Sequence, residues 1–169
     1  DGKRIWWVRG LPSEMKSVVS MDRENLYVNG WCFPQNQPGR QVPTVSFEEG
    51  LKRYDTNRDG IIMKEEISGP DPMDRMLARD NGFGAFDLDR SGTLNAQEWD
   101  VFRAMMASEN GLLAIRLGGQ GDMTETAVRW RYQKPVPEVP STLLYQGVLF
   151  MVNDSGVLTS FDPATGDVL

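Results

Sequence analysis

Two stretches of this chain set oxygen-bearing side chains at alternate positions ahead of a glycine. The first is Asp55-Thr56-Asn57-Arg58-Asp59-Gly60, continued by Ile61-Ile62-Met63-Lys64-Glu65-Glu66. The second is Asp87-Leu88-Asp89-Arg90-Ser91-Gly92, continued by Thr93-Leu94-Asn95-Ala96-Gln97-Glu98. The rest of the composition narrows what such clusters can do. The chain contains no histidine, which removes Ser-His-Asp and Cys-His nucleophile arrangements, every imidazole base and nearly all catalytic zinc sites. Its single cysteine, Cys32, removes thiolate zinc clusters and any internal disulfide. Metal chemistry here must use oxygen ligands.

Both stretches match the twelve-residue EF-hand loop, and on them the middle of the chain resembles the EF-hand calcium-binding proteins. A hard cation takes about seven oxygens at about 2.3–2.6 Å, and alternate residues of a tight loop aim theirs inward. The resemblance implies side-chain ligands from Asp55, Asn57 and Asp59 in the first loop, and from Asp87, Asp89 and Ser91 in the second. Gly60 and Gly92 take the sharp turn, Ile61 and Thr93 offer backbone carbonyls, and Glu66 and Glu98 close each shell bidentately. Two bound Ca2+ ions are expected. Position eight is apolar in both loops, Ile62 and Leu94, which in paired hands meet in a short antiparallel contact. Two features set the first loop apart. Its ninth position is Met63 where the second has Asn95, and its outgoing helix is cut short by Ser68-Gly69-Pro70, since proline cannot continue a helix. The first site is therefore expected to be the weaker.

The elements that must position these loops follow from the hydrophobic period. From Ser46 to about Ser108 apolar residues recur at three and four, as in Phe47, Leu51, Tyr54 and in Trp99, Phe102, Met105, Met106, which predicts helices. SFEEGLKRY is expected to lead into the first loop as one helix, and PMDRMLARDNGFGAF into the second as another. Both ends of the chain instead alternate and are broken by turn residues, as in KSVVSMDRENLYVNGW and LLYQGVLFMVNDSGVLTSFD, which predicts short strands. An ungapped offset of 124 lays Trp6 on Trp130, Ser17 on Ser141, Leu26 on Phe150 and Val28 on Val152. With the helical middle removed, the period falls near ~50, at or slightly above that of a four-stranded propeller blade.

Asp162-Pro163-Ala164-Thr165-Gly166-Asp167-Val168-Leu169 carries all but the tryptophan of a D-x-x-T-G-x-x-x-W motif. The strand-rich ends thereby resemble quinoprotein-like (PQQ-type) β-propellers. The expected fold class is α+β: a helical EF-hand pair inserted between antiparallel strands of a β-propeller-type blade. Residues 1–34 and 111–169 are the propeller-like strands, and residues 35–110 the EF-hand pair. The chain reads as a piece of a longer propeller protein, and the two ends of the insertion, near Phe33 and Gly111, should lie together.

Eighteen basic against 24 acidic residues give a net charge of −6, which argues against nucleic-acid binding because phosphate neutralisation needs a basic face. No apolar run approaches the ~18 residues of a membrane span. The glycine run Leu117-Gly118-Gly119-Gln120-Gly121-Asp122 lacks the Gly-Lys-Ser/Thr of a phosphate loop. Nine methionines read as core filling rather than as a target-binding groove. The function expected is calcium binding in a non-catalytic module, structural rather than regulatory. The alternatives are a fragment of a quinone-dependent dehydrogenase and a propeller scaffold that binds a protein partner. The family resemblance implies an exported, periplasmic or extracellular setting.

Overall fold

The computed structural model describes residues 1–169, apart from the side chain of Asp80. In chain order the elements begin with strands β1 (Trp6–Trp7), β2 (Ser20–Met21) and β3 (Asn25–Gly30). Helix α1 (Phe47–Tyr54), strand β4 (Ile62–Met63), helices α2 (Pro72–Leu77) and α3 (Asp80–Phe83), strand β5 (Thr93–Leu94) and helix α4 (Ala96–Ala107) form the middle. Strands β6 (Gly111–Arg116) and β7 (Gly121–Asp122), helix α5 (Thr124–Ala127) and strands β8 (Val128–Tyr132), β9 (Leu143–Tyr145), β10 (Val148–Val152) and β11 (Leu158–Phe161) follow. Two compact units result, Gln41–Ala107 and the joined flanks Asp1–Arg40 with Ser108–Leu169.

In the helical unit, α1 starts where Ser46 and Glu49 cap one another: the Glu49 amide donates to Ser46 Oγ (3.3 Å) and the Ser46 amide to Glu49 Oε2 (3.1 Å). Such a reciprocal cap satisfies two amides that the first turn leaves unpaired. Trp99, fully buried on α4, organises the core. Its ring centroid lies 5.1 Å from Phe102, 6.2 Å from Tyr54 and 6.4 Å from Phe47. Its indole N–H donates to the Val45 carbonyl (3.0 Å). Helix α1 reaches this ring because one of its two buried positions is Gly50, where a Cβ would stand 2.9 Å from Trp99 Cζ2. Asp74 is buried at 1% exposure. It accepts from the Tyr54 hydroxyl, from Arg53 Nη2 (2.6 Å) and from the Asp71 amide (3.1 Å).

One predicted helix is divided. PMDRMLARDNGFGAF forms α2 and α3 rather than a single rod. At Gly82 a Cβ would lie 1.9 Å from the Met76 carbonyl oxygen, so the chain folds back on itself at a point that only glycine fits.

The strand unit contains a four-stranded sheet, ordered β2-β3-β6-β8, a three-stranded sheet, ordered β11-β10-β9, and the parallel pair β1-β7. The two larger sheets repeat one another in register. Ser20↔Tyr27 and Met21↔Leu26 correspond to Leu143↔Phe150 and Leu144↔Leu149. Leu26↔Ile115, Tyr27↔Ala114, Val28↔Leu113 and Asn29↔Leu112 correspond to Leu149↔Phe161, Phe150↔Ser160, Met151↔Thr159 and Val152↔Leu158. This overlay corrects the ungapped sequence offset by one residue, setting Leu26 on Leu149 and Val28 on Met151. A one-residue slip moves every side chain of a strand to the opposite face, so the correction decides which residues are equivalent. Trp6 and Trp130 also part company, the first pairing in parallel with Gly121 and the second opposite Ala114.

The faces now separate cleanly. One face of the four-stranded sheet (Tyr27, Leu112, Ala114) packs on Leu149, Met151 and Phe161 of the other sheet. There the Tyr132 and Phe161 rings meet edge-on at 4.8 Å. The opposite face (Val28, Leu113, Ile115) packs with Ala127, Trp6, Val8 and Leu11. Each fully buried Leu or Phe contributes about 1.5–3 kcal/mol.

In the three-stranded sheet residues 153–157 join the paired strands; in the four-stranded sheet the whole helical unit intervenes between Gly30 and its partner Gly111. Within the strand unit, a clasp of two buried asparagines joins the segments that follow Gly30 and precede Gly111. Asn110 Oδ1 accepts from the Cys32 amide (2.9 Å), and its Nδ2 donates to the Phe33 carbonyl (2.8 Å). Asn36 Nδ2 donates to the Ser108 carbonyl (2.8 Å), and the Asn110 amide to the Asn36 carbonyl (2.9 Å). Residues 35–40 and 108–110, assigned by sequence to the helical part, thus belong with the strands.

Candidate metal centre

Each loop folds on its first aspartate. Asp55 accepts from the amides of Asp59 (3.1 Å) and Gly60 (2.9 Å); Asp87 accepts from those of Ser91 and Gly92, both at 2.9 Å. The third position accepts from the fifth residue's amide in both, Asn57 Oδ1 from Asp59 (2.9 Å) and Asp89 Oδ1 from Ser91 (3.0 Å). Gly60 and Gly92 stand at φ 84° and 81°, and Arg58 and Arg90 at 61° and 59°. Left-handed backbone costs glycine little and an arginine more, so the loop hydrogen bonds hold two residues per loop in a turn that bends the oxygens inward.

The closing glutamates reach back across their loops. Glu66 Oε1 accepts from the Thr56 amide (2.9 Å) and hydroxyl (3.0 Å), and Glu98 Oε1 from the Leu88 amide (2.8 Å). Their second oxygens accept from position nine, Met63 at 2.9 Å and Asn95 at 3.0 Å. The Met63 amide, outweighing burial and aided by Thr56, holds the Glu66 carboxyl below its ordinary value. The Ser91 hydroxyl and amide do the same for Asp89. Both groups are charged at neutral pH. Between the loops, Ile62 pairs with Leu94 and Met63 with Thr93, which is the expected contact of the two eighth positions.

In the second loop, ligand atoms of Asp87, Asp89 and Glu98 all lie within 4.8 Å of one another. Among the described residues this is the group of three acidic side chains so gathered. Asp55, Asn57, Asp59, Glu66 and the Ile61 carbonyl share the first loop, and Ser91 and the Thr93 carbonyl complete the oxygen set of the second. An all-oxygen donor set with three carboxylates suits a hard divalent cation.

Sequence reading missed a second duty of position nine. Asn95 Oδ1 accepts from the amides of Gln97 (2.9 Å) and Glu98 (3.1 Å), capping α4. Met63 makes no such side-chain cap, and a 3-10 turn over Lys64–Glu66 takes the place of a helix. The signal was present: asparagine followed three residues later by glutamate is a helix-start pair.

A family model described as EF hand matches residues 79–105, spanning the second loop and the helix that leaves it. Neither the curated proteins nor the solved structures compared with this chain include a match. The family match and the gathered carboxylates of Asp87, Asp89 and Glu98 together support calcium binding by this segment.

Proposed function

We propose that the chain binds two calcium ions, one in each loop, and that the metal sustains the fold of a helical module inserted into a propeller-type strand repeat. The convergence of Asp87, Asp89 and Glu98 within 4.8 Å carries the reading. Three carboxylates held this close repel one another unless a cation neutralises them, so a bound ion stabilises the folded loop. The first site would use Asp55, Asn57, Asp59, Glu66 and the Ile61 carbonyl. A structural role is favoured by the core. Met73, Met106, Trp99 and Phe102 are all buried, and among the described residues the exposed large apolar side chains of the helical unit are Leu88 and Val101. A sensor that grips targets needs an apolar groove.

The propeller context is supported by the in-register repeat of the two sheets and by the D-x-x-T-G segment. There the Trp130 indole donates to the Pro163 carbonyl (3.0 Å). Gly166, at φ 79°, lies where a Cβ would come within 2.6 Å of the same ring. The module is read as binding rather than catalytic, and as working in an exported setting, where calcium is abundant and weak sites suffice. Calorimetric titration of the chain with calcium, with and without excess magnesium, tests the proposal. Two ions are expected, with dissociation constants in the broad micromolar to millimolar range. A stoichiometry of zero, or sites filled equally well by magnesium, rejects it.

A further inference from the structure

The two loops are held from outside in different ways. Glu98 lies on α4, and Phe86, the residue just before the second loop, packs edge-on against Phe102 of that helix at 5.0 Å. One rigid rod thereby ties the entering side of the second loop to its leaving side. Glu66 has no such rod behind it. The chain leaves it from a 3-10 turn and passes through Ile67, Ser68, Gly69 and Pro70 without a helix, until α2 begins at Pro72.

Tyr54 stands before the first loop where Phe86 stands before the second, and the two differ by one hydroxyl. That hydroxyl donates to Asp74 Oδ1, while Asp74 Oδ2 accepts from Arg53 Nη2 (2.6 Å) and from the Asp71 amide (3.1 Å). The same Arg53 nitrogen also donates to Asp71 Oδ2 (2.6 Å). Tyr54 and Asp74 are each 1% exposed. The carboxylate thus joins the last two residues of α1, directly before the ligand Asp55, to α2, downstream of the ligand Glu66. The backbone makes room for it. At Gly69, with φ 153°, a Cβ would lie 2.0 Å from Asp74 Oδ2, so a side chain there would displace the carboxylate.

Stability alone does not call for a buried carboxylate, since a well-packed apolar pair often serves as well. Phe86 and Phe102 are that apolar solution in the second hand. A charge-assisted hydrogen bond adds direction, because donor and acceptor must meet in one geometry.

We propose that Asp74 is a positioning residue for the first calcium site. It latches the entering side of the loop to the leaving side, in place of the outgoing helix that Ser68-Gly69-Pro70 forbids. The inference rests on the calcium reading above and gives that site a determinant outside its twelve-residue loop. Asp74 acts through Tyr54 and the chain that leads into Asp55, not by touching the ion. An unlatched loop must order Asp55 against Glu66 as the ion arrives, and that lost preorganisation weakens binding.

The test reads the two sites separately in the full chain. Glu98→Gln weakens the second site and leaves the first to be titrated, and Glu66→Gln does the reverse. Asp74→Asn and, separately, Tyr54→Phe, which removes only the hydroxyl, are placed in each background. Calorimetric calcium titration is expected to show the first-site dissociation constant raised about tenfold by Asp74→Asn and about threefold by Tyr54→Phe. The second-site constant is expected to change by less than about twofold. A purely structural role would weaken both sites, because Trp99 packs on Tyr54 of one hand and Phe102 of the other.

Equal weakening at both sites, or an unchanged first site, overturns the latch and leaves calcium binding standing. If Asp74→Asn fails to fold, as judged by circular dichroism at saturating calcium, Tyr54→Phe decides by the same criteria. A parental chain that takes up no calcium overturns the calcium reading and the latch with it.

Discussion

At the residue scale the ninth position sets the two loops apart. The Asn95 side-chain oxygen caps α4, whereas Met63 has no such oxygen and makes no cap. Substituting Asn95→Ala is expected to cost about 0.5–2 kcal/mol through the lost cap, read from urea denaturation without calcium. Met63→Asn should recover part of such a cap in the first loop and raise the first site's affinity in titration. Glu98→Gln removes a charge and replaces a two-oxygen grip by an amide. At least a tenfold loss of calcium affinity at the second site is expected, equivalent to about 1.4 kcal/mol. Unchanged binding by Glu98→Gln would remove that residue from the ligand set.

At the scale of elements, the helical unit depends on two close fits. Gly50→Ala forces a methyl against the indole of Trp99, whose Cζ2 lies 2.9 Å from where the new Cβ must stand, and overpacking of this kind costs about 1–3 kcal/mol. A thermal melt that leaves this variant at the parental midpoint would show that α1 shifts freely on Trp99. Asp74 provides the second fit. Burial acts to raise its carboxyl, but the Tyr54 hydroxyl, the Asp71 amide and Arg53 together hold it below its ordinary value. A depressed carboxylate stabilises the fold above its unfolded pKa and loses that contribution as pH falls through its folded pKa. Asp74→Asn should therefore cost about 3 kcal/mol at neutral pH. The gap between parent and variant should close below pH of about 4, measured by denaturation at a series of pH values.

For the whole molecule, the asparagine clasp acts on the strand unit and the metal on the helical one. Asn110→Ala would leave the Cys32 amide unpaired in a buried position, while the Phe33 carbonyl would keep the Asn36 amide as its partner. One unpaired buried amide costs about 1–3 kcal/mol, and hydrogen exchange should rise first at Gly30 and Gly111. Calcium at a hundredfold excess over its dissociation constant stabilises by about 2.7 kcal/mol. Protection from exchange should therefore increase over residues 55–98, with the strands from Asn25 to Gly30 and Leu158 to Phe161 little changed. The reverse distribution would place the calcium effect outside the loops.

The loops were legible because their chemistry is local. Twelve consecutive residues carry the oxygens, the glycine and the closing glutamate, and the same residues supply the loop's own hydrogen bonds. The period change from three-and-four to alternation likewise placed the helices and strands, since burial of one face imposes it. Three things waited for the tertiary structure. The division of α2 from α3 depends on how near Met76 comes to Gly82, a contact no propensity encodes. The true offset between the two sheets depends on strand pairing, which one residue of loop length shifts without altering the alternation. The duty of Asn36 and Asn110 as a clasp arises only when residues distant in sequence meet, because a polar side chain in a turn and one buried in a clasp look alike until their partners are in place.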